Sequence, residues 1–232
     1  IAFGGPLDQN SDITYRIALR NDKANGFRKN LYLKRSDTSR KDESTGRLKV
    51  NWQLADNTKI KFLISQVDLN DPADIWTIDG SLNTLSDRPG MDSQKTNSYG
   101  MKVFHSFDGF ELQSYTSSTD TNVIFSYDAD WGNADSHFPY VYDYFSETLR
   151  DRKSFNQEFR AVSDSADFQK NSFFEWVIGA NYLELKESNL KKDDGLYGDP
   201  SDPYGPYASA SASSSKYKSS NFSVFGNLDY LL

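Results

Sequence analysis

Apolar and polar residues alternate with a period of two through much of this chain, which sends successive side chains to opposite faces of an extended backbone. Ile13, Tyr15, Ile17 and Leu19 fall on one side of such a segment, with Thr14, Arg16, Ala18 and Arg20 on the other. Leu48, Val50, Trp52 and Leu54 oppose Arg47, Lys49, Asn51 and Gln53, and Ile60, Phe62 and Ile64 oppose Lys59, Lys61 and Ser65. The rhythm returns at Tyr99, Met101, Val103, His105 and Phe107, weakly over 110–119, then at Phe155, Gln157, Phe159 and Ala161. Phe174, Trp176, Ile178, Ala180 and Tyr182 give the cleanest apolar face, and Phe222, Val224, Gly226, Leu228 and Tyr230 close the series. The pattern predicts an all-β chain, an antiparallel meander of about eight long strands. Several approach the roughly 9–11 residues with which a tilted strand crosses a bilayer.

The connections are of two kinds. Ala55-Asp56-Asn57-Thr58 and Asp108-Gly109 are tight hairpin turns, and 163–171 is a modest one. Between them lie four polar stretches, at about 21–43, 70–96, 120–152 and 186–216, predicted as long loops that all emerge at one end. The last runs from a Pro/Gly-rich segment into a Ser/Ala tract at 208–215, which reads as mobile low-complexity chain. Long unstructured loops are uncommon in compact domains and usually functional. Short turns on one side and long loops on the other are the habit of outer-membrane barrels.

An apolar face on nearly every strand needs cover, and the polar remainder of the chain supplies no second layer. Lipid would cover it. The opposite face is polar and carries a surplus of cations: Arg16, Arg20, Arg47, Lys49, Lys59, Lys61, Lys102 and Arg160, against Glu111, Glu158, Glu175 and Asp229. Such a wall attracts an anionic solute, or is neutralised by carboxylates beside it or on an absent partner.

Composition bears this out in part. The 232 residues combine a formal charge of −7 with 16 Phe, 14 Tyr and 4 Trp, and mean hydropathy is −0.71. Disordered chains lack that aromatic content. The acidic balance argues against a general nucleic-acid binder. With no cysteine, disulfides and thiolate chemistry are excluded. No run of about 20 apolar residues is present, so no helix spans a membrane, while a barrel hides its signal in alternation. The first residues lack a signal peptide and the last stop within an expected strand, so both ends read as cuts in a longer protein.

Gly4-Gly5-Pro6-Leu7 followed by the strand from Ile13 to Arg20, Asp128-Ala129-Asp130-Trp131, the stretch from Ser154 to Arg160, the stretch from Trp176 to Tyr182, and Ser223 to Asn227 occur in the order seen in the TonB-dependent outer-membrane receptors, which this chain resembles. The resemblance implies that 1–232 is a partial barrel domain, the first strands of about 22 closed around a plug. The glycine-rich opening would be the join to that plug; the plug, its TonB contact and the later strands would lie outside the chain. It further implies a Gram-negative outer membrane, a lipid bilayer and the TonB complex as partners, and import of a metal chelate such as a ferric siderophore, or of a glycan.

Trp131, Phe138, Tyr140, Tyr142 and Tyr144 make the third loop unusually aromatic and are the candidate ligand-binding residues. Arg16, Arg20, Arg47, Lys49 and Arg160 are the candidate basic wall. Asp128, Asp130, Asp135 and His137 cluster in sequence, but their spacing lacks the closing acid of a calcium loop, so they read as a solvated acidic loop. No catalytic set, metal site or cofactor motif stands out, and no enzyme is expected. The rival readings are a small complete outer-membrane barrel with an adhesin or structural role, which requires first and last strands to pair, and a soluble carbohydrate-binding β-sandwich, which requires two apolar faces to meet.

Overall fold

The computed structural model describes residues 1–7, 9, 11–164 and 174–230. Nine strands form one antiparallel sheet in which every neighbour in sequence is a neighbour in space: β1 (Ala2–Pro6), β2 (Ile13–Ala24), β4 (Lys41–Ala55), β5 (Thr58–Pro72), β7 (Met91–Phe107), β8 (Phe110–Asp128), β9 (Val141–Ser163), β10 (Phe174–Gly198) and β11 (Tyr207–Tyr230). Two short strands, β3 (Lys29–Asn30) and β6 (Asn83–Thr84), pair in parallel apart from it. The fold is all-β and the sheet is not closed, since β1 and β11 are its two edges.

The tight turns form as expected. Phe107 pairs with Phe110 across Asp108-Gly109, where Gly109 takes a φ of 83° that a side chain would resist. Ala55 pairs with Thr58 across the other turn, beside a register irregularity between Gln53 and Ala55. The expected turn at 163–171 lies mostly outside the described residues.

The opening Gly4-Gly5-Pro6 lies in edge strand β1, paired with β2. Its backbone comes so close that a Cβ on Gly4 would sit 2.2 Å from the Tyr15 carbonyl oxygen. The expected long loops need correction: strand runs into each long polar stretch from both sides and takes up most of the last two, 120–152 and 186–216. The true loops are 25–40, 73–90, 129–140 and 199–206, and the Ser/Ala tract at 208–215 is ordinary β11, laddered residue by residue onto β10. Alternation reveals a strand only while one face is apolar. Where both faces meet water the ladder persists and the pattern vanishes.

The strands therefore lengthen along the chain, from 12 residues in β2 to 19 in β8 and 23, 25 and 24 in β9, β10 and β11. At about 3.3 Å per residue β10 spans roughly 80 Å, far more than a bilayer needs. Cross-strand ion pairs lace the protruding part: Arg152 with Glu187 at 2.5 Å and Lys153 with Asp120 at 3.2 Å.

The usual interior is missing. Ala73 is the one buried hydrophobic residue among those described, whereas Phe62, Ile64, Tyr99, Phe159, Ile178 and Phe222 are all exposed. Register places them on one face: the row Val50, Phe62, Met101, Thr116, Gln157, Tyr182 and Phe222 runs straight across seven strands. The sheet exposes 15,207 Å², where a globular monomer of 26.4 kDa would expose about 10,600 Å². The apolar face has no second sheet against it, so the two-layer requirement of the β-sandwich reading is not met. The absence of β1–β11 pairing likewise disfavours the small closed barrel.

Candidate functional site

The polar face of the lower sheet holds the cations singled out in the sequence. Arg16 pairs with Lys49 across β2 and β4, and Lys61 with Lys102 across β5 and β7. Like charges in directly opposed positions destabilise a sheet, and the nearest carboxylates, such as Glu111 and Asp56 in the cleft with Lys59 and Lys61, do not close on them as ion pairs. Among the described residues no carboxylate lies within ion-pair distance of Arg16, Arg47, Lys49, Lys59, Lys61 or Lys102. Lys61 instead lies over the Phe104 ring at 5.2 Å and Lys102 over Tyr115 at 4.8 Å. Together with Lys49 and Asn51 they line a cleft of about 620 Å³.

Two members of the expected wall leave this set. Arg20 is paired to Asp22 at 2.7 Å, and Arg160 is paired to Glu158 while lying 4.8 Å from the Tyr115 ring centre. The free charge thus centres on Arg16, Arg47, Lys49, Lys59, Lys61 and Lys102, all on one face, with Lys61 and Lys102 in one row and Lys59 in the next.

The aromatic candidates divide. Trp131, Phe138 and Tyr140 sit on the 129–140 loop and are exposed, Phe138 at 84%. Tyr142 and Tyr144 belong to β9, not to the loop, with rings 4.7 Å apart. On that face they are joined by tyrosines from segments the sequence left as loop. Tyr142 pairs with Tyr197, and Tyr197 with Tyr207, giving three tyrosines abreast on β9, β10 and β11. One level down, Trp76 from loop 73–90 packs on Phe125 and Tyr127 at 6.5 and 5.2 Å. The sequence signal for Tyr197 and Tyr207 was present but masked, because each lies in a stretch with no alternation. Register shows that this aromatic surface and the cations below share one face, aromatic above and basic below.

Loops 25–40 and 73–90 are tied by a buried polar knot. Asp74 Oδ2 accepts hydrogen bonds from Asn30 Nδ2 at 2.9 Å, Thr84 Oγ1 at 2.8 Å and the Thr38 hydroxyl. Asn30 also donates to the Ser86 carbonyl at 2.7 Å, and its Oδ1 accepts from the Leu33 amide at 2.8 Å. All five side chains are at most 4% exposed. This knot is why the β3–β6 pair exists, and no local pattern announced it.

Loop 73–90 is joined in turn to 129–140. Asn133 Nδ2 donates to the Leu85 carbonyl at 2.8 Å and the Asp87 amide to the Gly132 carbonyl at 2.9 Å. Asp130 accepts from the Gly132 amide at 2.9 Å and the Tyr144 amide at 2.7 Å, so both its oxygens serve the backbone. The expectation of a solvated acidic loop is corrected here: Asp128 and Asp130 are each 5% exposed, and Asp130 holds backbone instead of facing water. Asp128 lies at the far tip of β8, well beyond the apolar rows. Burial, reinforced by the adjacent Asp130, pushes its carboxyl up to about 7. The nearby Ser86 hydroxyl lowers it in part, yet neither that oxygen nor Asp128 Oδ2 makes a hydrogen bond of ordinary geometry. Burial and the charges of Asp143 and Asp130 raise Asp87 as well.

No protein-family profile matches the chain, and no curated protein sequence does. Among solved structures, the ferric yersiniabactin uptake receptor FyuA from Yersinia pestis matches with a TM-score of 0.61 at 12% identity, over 98% of this chain and 40% of that one. At that identity the likeness establishes the fold alone: an open antiparallel sheet built like a segment of a large β-barrel. The chain spans about two fifths of the length of that receptor.

Proposed function

We propose that this chain forms part of the barrel of an outer-membrane receptor that binds a scarce anionic solute and imports it with energy supplied through TonB. The observation that carries the reading is the inverted sheet: large apolar side chains face outward uncovered, while the opposite face is polar and carries six cations with no ion-pair partner among the described residues. Lipid is the cover that suits the first face, and a lumen the surroundings that suit the second. The role is binding and passage rather than catalysis.

The solute class follows from the same face. Unpaired Arg16, Arg47, Lys49, Lys59, Lys61 and Lys102 favour an anion over a neutral glycan, and the tyrosines above them supply flat apolar surface. A ferric siderophore or similar anionic metal chelate satisfies both demands, and the named ligand of the receptor that shares the fold is of that kind. The test is uptake of labelled ferric chelates and of labelled oligosaccharides by cells with and without the full-length protein, under iron limitation. Loss of chelate uptake alone is expected. Loss of glycan uptake alone would overturn the solute class, and loss of neither would overturn the transport role.

A further inference from the structure

Immediately above the apolar rows, on the same outward face, lies a band of lysines that the solute path does not use. Ser118, Phe155, Glu184 and Ser220 form one row across β8–β11; the next is Asp120, Lys153, Lys186 and Lys218; the one after holds Asn122, Asp151, Ser188 and Lys216, with Lys95 beside it on β7. Lys153, Lys186 and Lys218 therefore stand abreast on three adjacent strands, about 5 Å apart at the backbone. We propose that this band is a seat for the phosphate group of a membrane lipid, the acyl chains lying on Phe155, Tyr182 and Phe222 below it. The inference rests on the membrane placement proposed above, but not on the transported solute.

Three observations carry it. The first is level. The lysines begin where the continuous apolar rows end, with one further apolar row, Ile124, Leu149 and Leu190, two rows above them, and their level is the depth of a headgroup for a lipid lying against Tyr182 and Phe222. The second is shape: a groove of about 330 Å³ is lined by Lys153, Lys186, Lys216 and Lys218, with the carboxylates Asp151 and Glu187 also on its wall, and its volume is ample for a phosphate. The third is the arrangement of charge. Glu184 reaches Lys186 at 2.5 Å and Lys218 at 3.2 Å, so one carboxylate from the row below holds two ammonium groups level. Lys153 leans on Asp120 at 3.2 Å and Lys95 on Asp68 at 4.0 Å, while Lys216 has no ion-pair partner among the described residues. Five lysines face the four carboxylates Asp68, Asp120, Asp151 and Glu184, a local surplus of one in a chain whose total is −7. Spacing and depth, more than net charge, make the seat. The ammonium groups remain exposed, with 54–68% of the side-chain surface of Lys95, Lys153, Lys186 and Lys218 accessible, so a phosphate displaces water rather than breaking pairs.

The experiment uses the full-length protein reconstituted in phosphatidylcholine bilayers doped with phosphatidic acid or with the matching diacylglycerol, which lacks the phosphate. Flotation reports insertion, and native mass spectrometry reports which lipid is retained. Wild type is expected to retain phosphatidic acid preferentially, and each Lys→Gln change at 153, 186 or 218 to weaken it about fivefold. K192Q, outward-facing but six residues above Lys186, is expected to leave it intact. K218Q keeps the Lys186–Glu184 pair and serves if the change at Lys186 misfolds. Equal retention of the two lipids, undiminished retention in the variants, or an equal loss in K192Q overturns the seat while leaving membrane placement standing. Inorganic phosphate that displaces phosphatidic acid at equal concentration overturns the lipid as ligand. A protein that does not float with the bilayers overturns the membrane reading and the seat together.

Discussion

Replacing Asp74 by alanine should untie loops 25–40 and 73–90 without unfolding the sheet. Asp74 Oδ2 is the common acceptor for Asn30, Thr84 and Thr38 in a site from which water is excluded. Hydrogen bonds to a charged group contribute about 1.5–3 kcal/mol each, so three give a gross loss of about 5–9 kcal/mol. Once the loops part, the donors are rehydrated, and that caps the net penalty at the cost of opening; about 3 kcal/mol is a reasonable net figure for buried donors left without an acceptor. This is roughly a hundredfold in the opening equilibrium. Hydrogen exchange of the full-length protein reads it directly through the Asn30 and Leu31 amides, which donate to the Arg35 and Thr84 carbonyls at 2.8 and 3.0 Å. Their exchange should accelerate about a hundredfold, while amides in the β9–β10 ladder keep their protection. Asp74→Asn, which retains an acceptor without the charge, should fall between. Unchanged exchange at Asn30 and Leu31 in the alanine variant would refute the view that this carboxylate holds the loops together.

Other consequences concern the pH response, the two faces and one backbone contact. Because Asp128 titrates near 7 in the folded protein rather than at 3.8, the folded state holds the extra proton. Packing of the 73–90 and 129–140 loops should therefore weaken as pH rises from about 4 to 7, by on the order of 2–4 kcal/mol, and Asp128→Asn should flatten proteolytic susceptibility between pH 5 and 8; an unchanged slope would shift the cause to Asp87. Ile178→Arg, on the apolar face, should cost about 2–4 kcal/mol of folding stability in vesicles measured by urea titration. Asn181→Arg, on the polar face, should be tolerated, and equal losses would argue against an outward lipid face. Gly90→Ala places a Cβ 1.8 Å from the Ser126 carbonyl oxygen, so the loop must shift off β8, which faster exchange at the Ala73 amide, bonded to the Gly90 carbonyl, would report.

The sequence carried the half of this molecule with one apolar face well and the half polar on both faces poorly, for one physical reason. Where lipid is proposed on one side and lumen on the other, each residue is sorted by its surroundings. The alternation of Ile13 to Arg20 or of Phe174 to Tyr182 therefore specifies strand, face and register together. Above the continuous apolar rows both faces are mainly polar, apart from the single row Ile124, Leu149 and Leu190, and the sorting stops. Residues 186–198 and 207–216 look like loop and tract although they form the longest hairpin in the sheet. The candidate site divided along the same line. Arg16, Arg47 and Lys49 were legible as a basic face; Arg160 and Arg20 were legible as cations but not as paired ones, since Glu158 and Asp22 become partners only through side-chain geometry.

What the amino-acid sequence determined by itself, then, was the all-β class, the tight turns at 55–58 and 107–110, and the existence of two chemically opposed faces, because these follow from local alternation and turn chemistry. Tertiary structure decided what depends on which strand lies beside which. It set Tyr142, Tyr197 and Tyr207 abreast, brought Lys153, Lys186 and Lys218 into one row, and gathered Asn30, Thr38, Thr84 and Asp74 into a knot. Residues as far apart in the chain as 142 and 207 become neighbours only through the hydrogen-bond ladder, and no local signal encodes that.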